Sequence, residues 1–180
     1  MAKSYPEYQY DLADGVIGGL EQYRADRIVD CLKEKSGAEP GREDFREAGQ
    51  RAASTAVELG KKYLDRTGEM IEEVAAKTGV VFPPVMQRYL EIWLLGTGLA
   101  EKWLLKQSTI KGMVYEVNQC ALGERAGREW PGVKTAACAG YCAGALETLS
   151  GKLGMALEIK REDLGAGHGP CVFTIIPKQQ

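Results

Sequence analysis

The chain has 180 residues, 44% of them apolar, with 23 basic and 25 acidic side chains and a net charge of −2. That size and composition suit a single domain, 1–180, with an ordinary hydrophobic core. The balanced charge, with no basic stripe interleaved with aromatics, excludes the electrostatic footprint of a nucleic-acid binder. The opening run MAKSYPEYQYDLADGVIGGL has no apolar core of the kind a secretory signal needs, so a cytoplasmic protein is expected.

Taken in chain order, Leu20, Tyr23, Ile28, Cys31 and Leu32 recur at spacings near 3, 4 and 7, which predicts an amphipathic helix over Leu20–Lys35, ended by Gly37 and Pro40. An exposed apolar face on this helix would suit a homodimer. A second helix is predicted from Arg42, with Glu43 and Asp44 in its first turn and Phe45, Ala52, Ala56, Leu59 and Tyr63 on one side. Thr67 and Gly68 interrupt it before Met70, Ile71 and Val74 resume. Pro84 then opens a helix expected to reach Lys106, apolar on several sides and therefore central. Its most apolar part, Leu90 to Leu105, contains Glu91, Glu101 and Lys102 and is shorter than the roughly 20 residues that cross a bilayer, so no membrane partner is expected.

Past Gly112 the period changes. Met113, Tyr115 and Val117 alternate with Val114, Glu116 and Asn118, predicting a strand that ends at Cys120. Trp130-Pro131-Gly132 marks a turn, Lys134–Lys152 a helix, Met155–Lys160 a strand, Gly165, Gly167 and Gly169 a turn, and Cys171–Ile176 a closing strand paired antiparallel with the one before it. The expected fold class is α+β: a mainly helical part, 1–110, packed on a small antiparallel sheet within 111–180.

Five cysteines, an odd number in a chain read as intracellular, point away from a disulfide framework. Cys31 stands alone, whereas Cys120, Cys138, Cys142 and Cys171 gather in the last third with the single histidine, His168. Cys138 and Cys142 are four apart, one turn apart on the same face of a helix. Three uses stay open for the four thiols. They could hold zinc or an iron–sulfur cluster, although the paired C-x-x-C spacing of structural zinc sites is absent. One could be a nucleophile, helped by Lys160, Arg161 or His168. Or they line an apolar wall as small hydrophobic side chains. Glu162 and Asp163 read as a solvated turn, or as an acid, base or metal ligand. Tyr141, Trp93 and Trp103 could stack on an aromatic ligand, or simply fill the core.

The run CAGYCAGALETLSGKLGMALEIKREDLGAGHGPCVF resembles the C-terminal half of the 4-vinyl reductase domain, through Gly140, Tyr141 and Gly144, then Gly165, Gly167 and His168, then Cys171 and Phe173. That resemblance implies a small-molecule pocket of the kind used by sensors of aromatic hydrocarbons, a zinc site in some members, and a fold shared with vesicle-tethering subunits. Asp163 and Lys160 stand where zinc-binding members carry ligands. The longer stretch from Tyr115 to Phe173 is similar to L-2-amino-thiazoline-4-carboxylate hydrolases, through Cys120, Cys142, Arg161, Gly167, Cys171 and Phe173. This second resemblance implies a cysteine-dependent hydrolase that opens a small heterocycle at a C–N bond. Cys142 or Cys120 would be the thiol, Arg161 would recognise a carboxylate, and Cys171 and His168 would assist. Ala143 and Gly144 occupy the place of an acidic residue of those enzymes. The alternative is a binding module without turnover, its cysteines lining a pocket or holding a metal.

Overall fold

The computed structural model describes residues 12–36, 38–63, 84–109, 111–154, 156–163 and 170–178. The first helical stretch is built in pieces: α1 (Asp14–Leu20), one 3-10 turn at Glu21–Tyr23, and α2 (Ala25–Ser36). The helix expected over Leu20–Lys35 is broken because Arg24 adopts extended angles, φ −68° and ψ 153°. In α2 the buried stripe is Ile28, Val29 and Leu32. Val29 takes the place in the core that the spacing assigned to Cys31, and Cys31 is exposed.

Helix α3 (Arg42–Tyr63) starts where expected, with the Gly41 N–H donating to the Asp44 carboxylate at 2.8 Å. Its buried face is nearly all small: Ala48, Gly49, Ala52, Ala53 and Ala56 beside Phe45 and Val57. Small side chains let a second helix come close. The resumption expected at Met70 lies outside the described residues.

Helix α4 (Pro84–Gly96) is central as predicted, with Met86, Leu90, Ile92 and Trp93 fully buried. It does not reach Lys106. Gly98 takes the left-handed conformation, φ +59°, while its N–H bonds to Leu95 O and the Leu99 N–H reaches back to Leu94 O, each at 3.1 Å. This is a Schellman stop, in which a glycine beyond the helix end accepts a backbone angle that side chains resist, and buried Leu94 and Leu99 sit across it. The chain leaves as a strand, β1 (Ala100–Thr109). Trp103, expected on the helix, is therefore a strand residue paired with Val117, and the helical part ends at Gly96 rather than near residue 110.

Strand β2 (Gly112–Cys120) follows, then an unexpected helix α5 (Ala121–Glu129), α6 (Lys134–Lys152), β3 (Leu157–Asp163) and β4 (Cys171–Pro177). The four strands form one antiparallel sheet in the order β1-β2-β4-β3. Helix plus small antiparallel sheet is an α+β architecture. The alternation in β2 holds: Met113, Tyr115 and Val117 are buried and stand opposite Ile175, Phe173 and Cys171 of β4, which are also buried. Tyr115 and Phe173 stack at 4.7 Å between centroids, nearly parallel, which adds about 0.5–1.5 kcal/mol to area burial. The α3–α6 pair makes the largest contact between elements, and α6 carries Cys138 and Cys142 on its buried side. Among the described residues no helix is long and apolar enough to cross a membrane.

Candidate functional site

The four clustered cysteines converge. Cys120, Cys138, Cys142 and Cys171 line one small cavity with Trp93, Leu94, Leu99, Tyr115, Val117 and Phe173. Its free volume is about 10 Å³, room for a single water-sized body. None of the four is in a disulfide.

Cys120 ends β2 and is the N-cap of α5, its backbone extended at φ −110°, ψ 104°. Its Sγ accepts the Gly123 N–H at 3.4 Å, taking the role usually given to a serine or aspartate oxygen. Cys138, near the start of α6, donates its S–H to the same sulfur across 3.6 Å. The Cys120 thiol is lowered from its ordinary 9.0 to about 7, first by the Cys138 bond and then by the backbone N–H groups of Gly123 and Leu122 and the charge of Arg161, against the opposing effect of burial. At pH 7 a thiol of that acidity is about fifty-fold richer in thiolate than an ordinary one. Cys138 is pushed up, chiefly because it is the donor to Cys120, and stays protonated. Cys142 is also pushed well up, by burial and then by the Cys120 charge. Of the two thiols proposed by sequence as nucleophile, the environment lowers Cys120 and raises Cys142.

Arg161 lies on β3, and its Nη2 donates to Cys171 Sγ on β4 at 3.0 Å. It also lines a second, larger space. This groove, about 540 Å³, runs between α6 and edge strand β3, walled by Ala139, Ala143, Leu146, Leu157, Ile159 and Phe173, with Arg42, Glu147 and Ser150 at its polar margin. Phe173 lines both spaces.

Of the aromatic candidates, Trp93 lines the thiol cavity and stacks on Tyr141 at 5.9 Å between centroids. Tyr141 is fully buried behind it and belongs to the wall of neither space. Burial pushes its hydroxyl up, with the Trp93 N–H partly offsetting. Only the backbone of Trp103 is described, and His168 lies outside the described residues.

Among the described residues no group of three or more histidine, cysteine, aspartate and glutamate side chains is arranged to hold a metal ion. Cys120 and Cys138 lie 3.6 Å apart, near the separation of two zinc thiolates, and zinc takes four ligands. The described residues therefore show no ready-made zinc or cluster site of the kind that the number of thiols suggested.

Sequence reasoning missed Gly123, Tyr115, Arg42, Glu147 and Ser150. A glycine three residues after a cysteine at a strand end was the available signal for the first, since it is the N3 position of a capped helix. Comparison with protein families, with curated proteins and with solved structures finds no match to this chain.

Proposed function

We propose that the chain is a small-molecule-binding protein whose ligand is a compact apolar body carrying a carboxylate, bound in the groove between α6 and β3. The supporting observation is the groove itself. Its volume of about 540 Å³ falls among ligand pockets, which run from roughly 300 to 1,000 Å³. Leu146, Leu157, Ile159 and Phe173 provide an apolar floor, and Arg161 and Arg42 supply guanidinium groups whose planar donor forks suit a carboxylate. A 4-vinyl-reductase-like fold, with its small-molecule pocket, is part of this reading. The test is displacement of anilinonaphthalene sulfonate, an apolar anion, by 1-naphthoate. Ala143→Leu fills the groove without touching a charge and is expected to weaken both ligands at least tenfold, the scale of one or two lost methylene contacts to the ligand. Equal affinity in the variant and the parent removes the groove as the binding site.

A second reading, a cysteine-dependent C–N hydrolase, is favoured by the acidified thiol at Cys120. The thiolate would add to the C=N carbon of a thiazoline ring. The ring nitrogen would take a proton from solvent as its C–N bond breaks, and water would then release the product and return the thiol. The thiol cavity is too small for such a ring, so the substrate would approach Cys120 from its half-exposed side. Turnover of L-2-amino-thiazoline-4-carboxylate by the parent and its loss in Cys120→Ser are the expected results. No turnover by the folded parent leaves the binding protein standing alone.

A further inference from the structure

We propose that Cys120 and Cys138 form a redox-active dithiol, which hydrogen peroxide converts to a disulfide. This does not depend on what occupies the α6–β3 groove. The two sulfurs already touch: 3.6 Å separates them, and one S–H points at the other. A disulfide needs a separation of about 2.05 Å, roughly 1.5 Å closer than the two sulfurs lie here.

The packing around the pair is specific to it. A Cβ on Gly123 would collide with Cys138 Sγ, so only glycine at this position lets the α6 thiol nest against the first turn of α5. The same Gly123 offers its N–H to Cys120 Sγ. One residue thus makes room for one sulfur and holds the other. Cys142 is a full helical turn further along α6, and Cys171 is engaged by Arg161. Of the four thiols at the cavity, Cys138 is the one in hydrogen-bond contact with Cys120.

The roles differ between the two sulfurs. Cys120 is the one stabilised as thiolate, by the Cys138 S–H and the N–H groups at the start of α5, so it is the attacking sulfur. Its electron pair attacks one peroxide oxygen and the O–O bond breaks. The departing oxygen takes a proton and leaves as water, and Cys120 becomes a sulfenic acid. Cys138 keeps its proton until this point. Its sulfur then attacks the sulfenyl sulfur, the S–O bond breaks, and the hydroxyl leaves with the Cys138 proton as a second water. Two electrons pass from the thiol pair to peroxide, and a dithiol reductant returns them by exchange.

A redox sensor thiol is normally poised next to a resolving cysteine in this way.

The experiment treats the reduced full-length chain with hydrogen peroxide, blocks remaining thiols, and maps peptides by mass spectrometry. The expected product is an intramolecular Cys120–Cys138 disulfide, reversed by dithiothreitol. In Cys138→Ser the expected product is a Cys120 sulfenic acid trapped by dimedone, with the circular dichroism spectrum unchanged. Oxidation of Cys120 straight to sulfinic acid in the parent, or a disulfide that involves Cys31 instead, would each overturn the proposal. Should Cys138→Ser fail to fold, peptide mapping on the parent still decides it.

Discussion

Gly144 on α6 lies against the carbonyl oxygen of Arg46 on α3 so closely that a Cβ at this position would overlap it. Gly140, one turn earlier, meets the carbonyl of Arg42 in the same way, and Gly49 of α3 meets that of Tyr141. Two helices in backbone contact cannot absorb a methyl by rotamer change, because backbone has none to offer. Gly144→Ala is therefore expected to lower stability by about 1–3 kcal/mol despite the better helix propensity of alanine. Urea unfolding of the variant reads this directly, and a stabilised variant would mean that the helices do not meet as described.

Gly98 offers a local test of where α4 ends. Its φ of +59° is strained for any side chain, so Gly98→Ala is expected to cost about 1 kcal/mol. If α4 continued toward Lys106, the same change would stabilise the protein, and thermal denaturation separates the two signs.

The ionisation of Cys120 has a consequence for stability. Its folded value near 7 lies below the ordinary 9.0, so its contribution is complete above pH 9, and is lost as pH falls toward 7. The difference in Tm between the parent and Cys120→Ser should widen as pH rises from 7 to 9. Iodoacetamide labelling of Cys120 should show a midpoint near pH 7, while Cys142, whose thiol is held well above its ordinary value, stays unlabelled at that pH.

Glu91 behaves in the opposite sense. It is 1% exposed on α4, and burial lifts its carboxyl from 4.5 to about 7, against the Gln87 hydrogen bond at 3.1 Å and the Arg88 charge. A raised carboxyl stabilises the fold fully below pH 4.5, and that contribution is lost as pH rises through 7. The parent should lose about 2 kcal/mol from this source between pH 5 and pH 8, and Glu91→Gln should remove that component of the pH dependence. Parallel stability profiles for the two proteins would place Glu91 in water rather than in the core.

The legible parts of the fold were those whose period and punctuation agree. Lys134–Lys152 is a helix to the residue, because the turn at Trp130-Pro131-Gly132 and Gly154, φ +66°, bracket it. The β2 and β4 strands alternate cleanly and pair as their burial requires. The run Leu99–Leu105 was misread because an apolar stretch of that length carries no period of its own, so tertiary context decides between helix and strand. The decisive signal was Gly98, whose meaning is conformational. Helix α5 was missed because its two glycines argue against a helix and its cap is a cysteine. Its stability comes instead from packing of Leu122 and Ala126 and from Arg125, which bridges Asp26 on α2 and Glu129 at 3.0 and 3.1 Å. The convergence of the four cysteines was anticipated, but not its scale. Only packing distances reveal that they surround space for one water and that the ligand-sized groove is a second space, also lined by Phe173.

The contact between α3 and α6 also governs how the molecule assembles. Arg46 and Glu147, paired at 2.6 Å, are 101 residues apart in the chain, so seating the helix that bears Cys138 and Cys142 on α3 closes a long loop. High sequence separation slows folding. Cys120 and Cys138 are only 18 residues apart, so their contact closes a far shorter loop than the Arg46–Glu147 pair does.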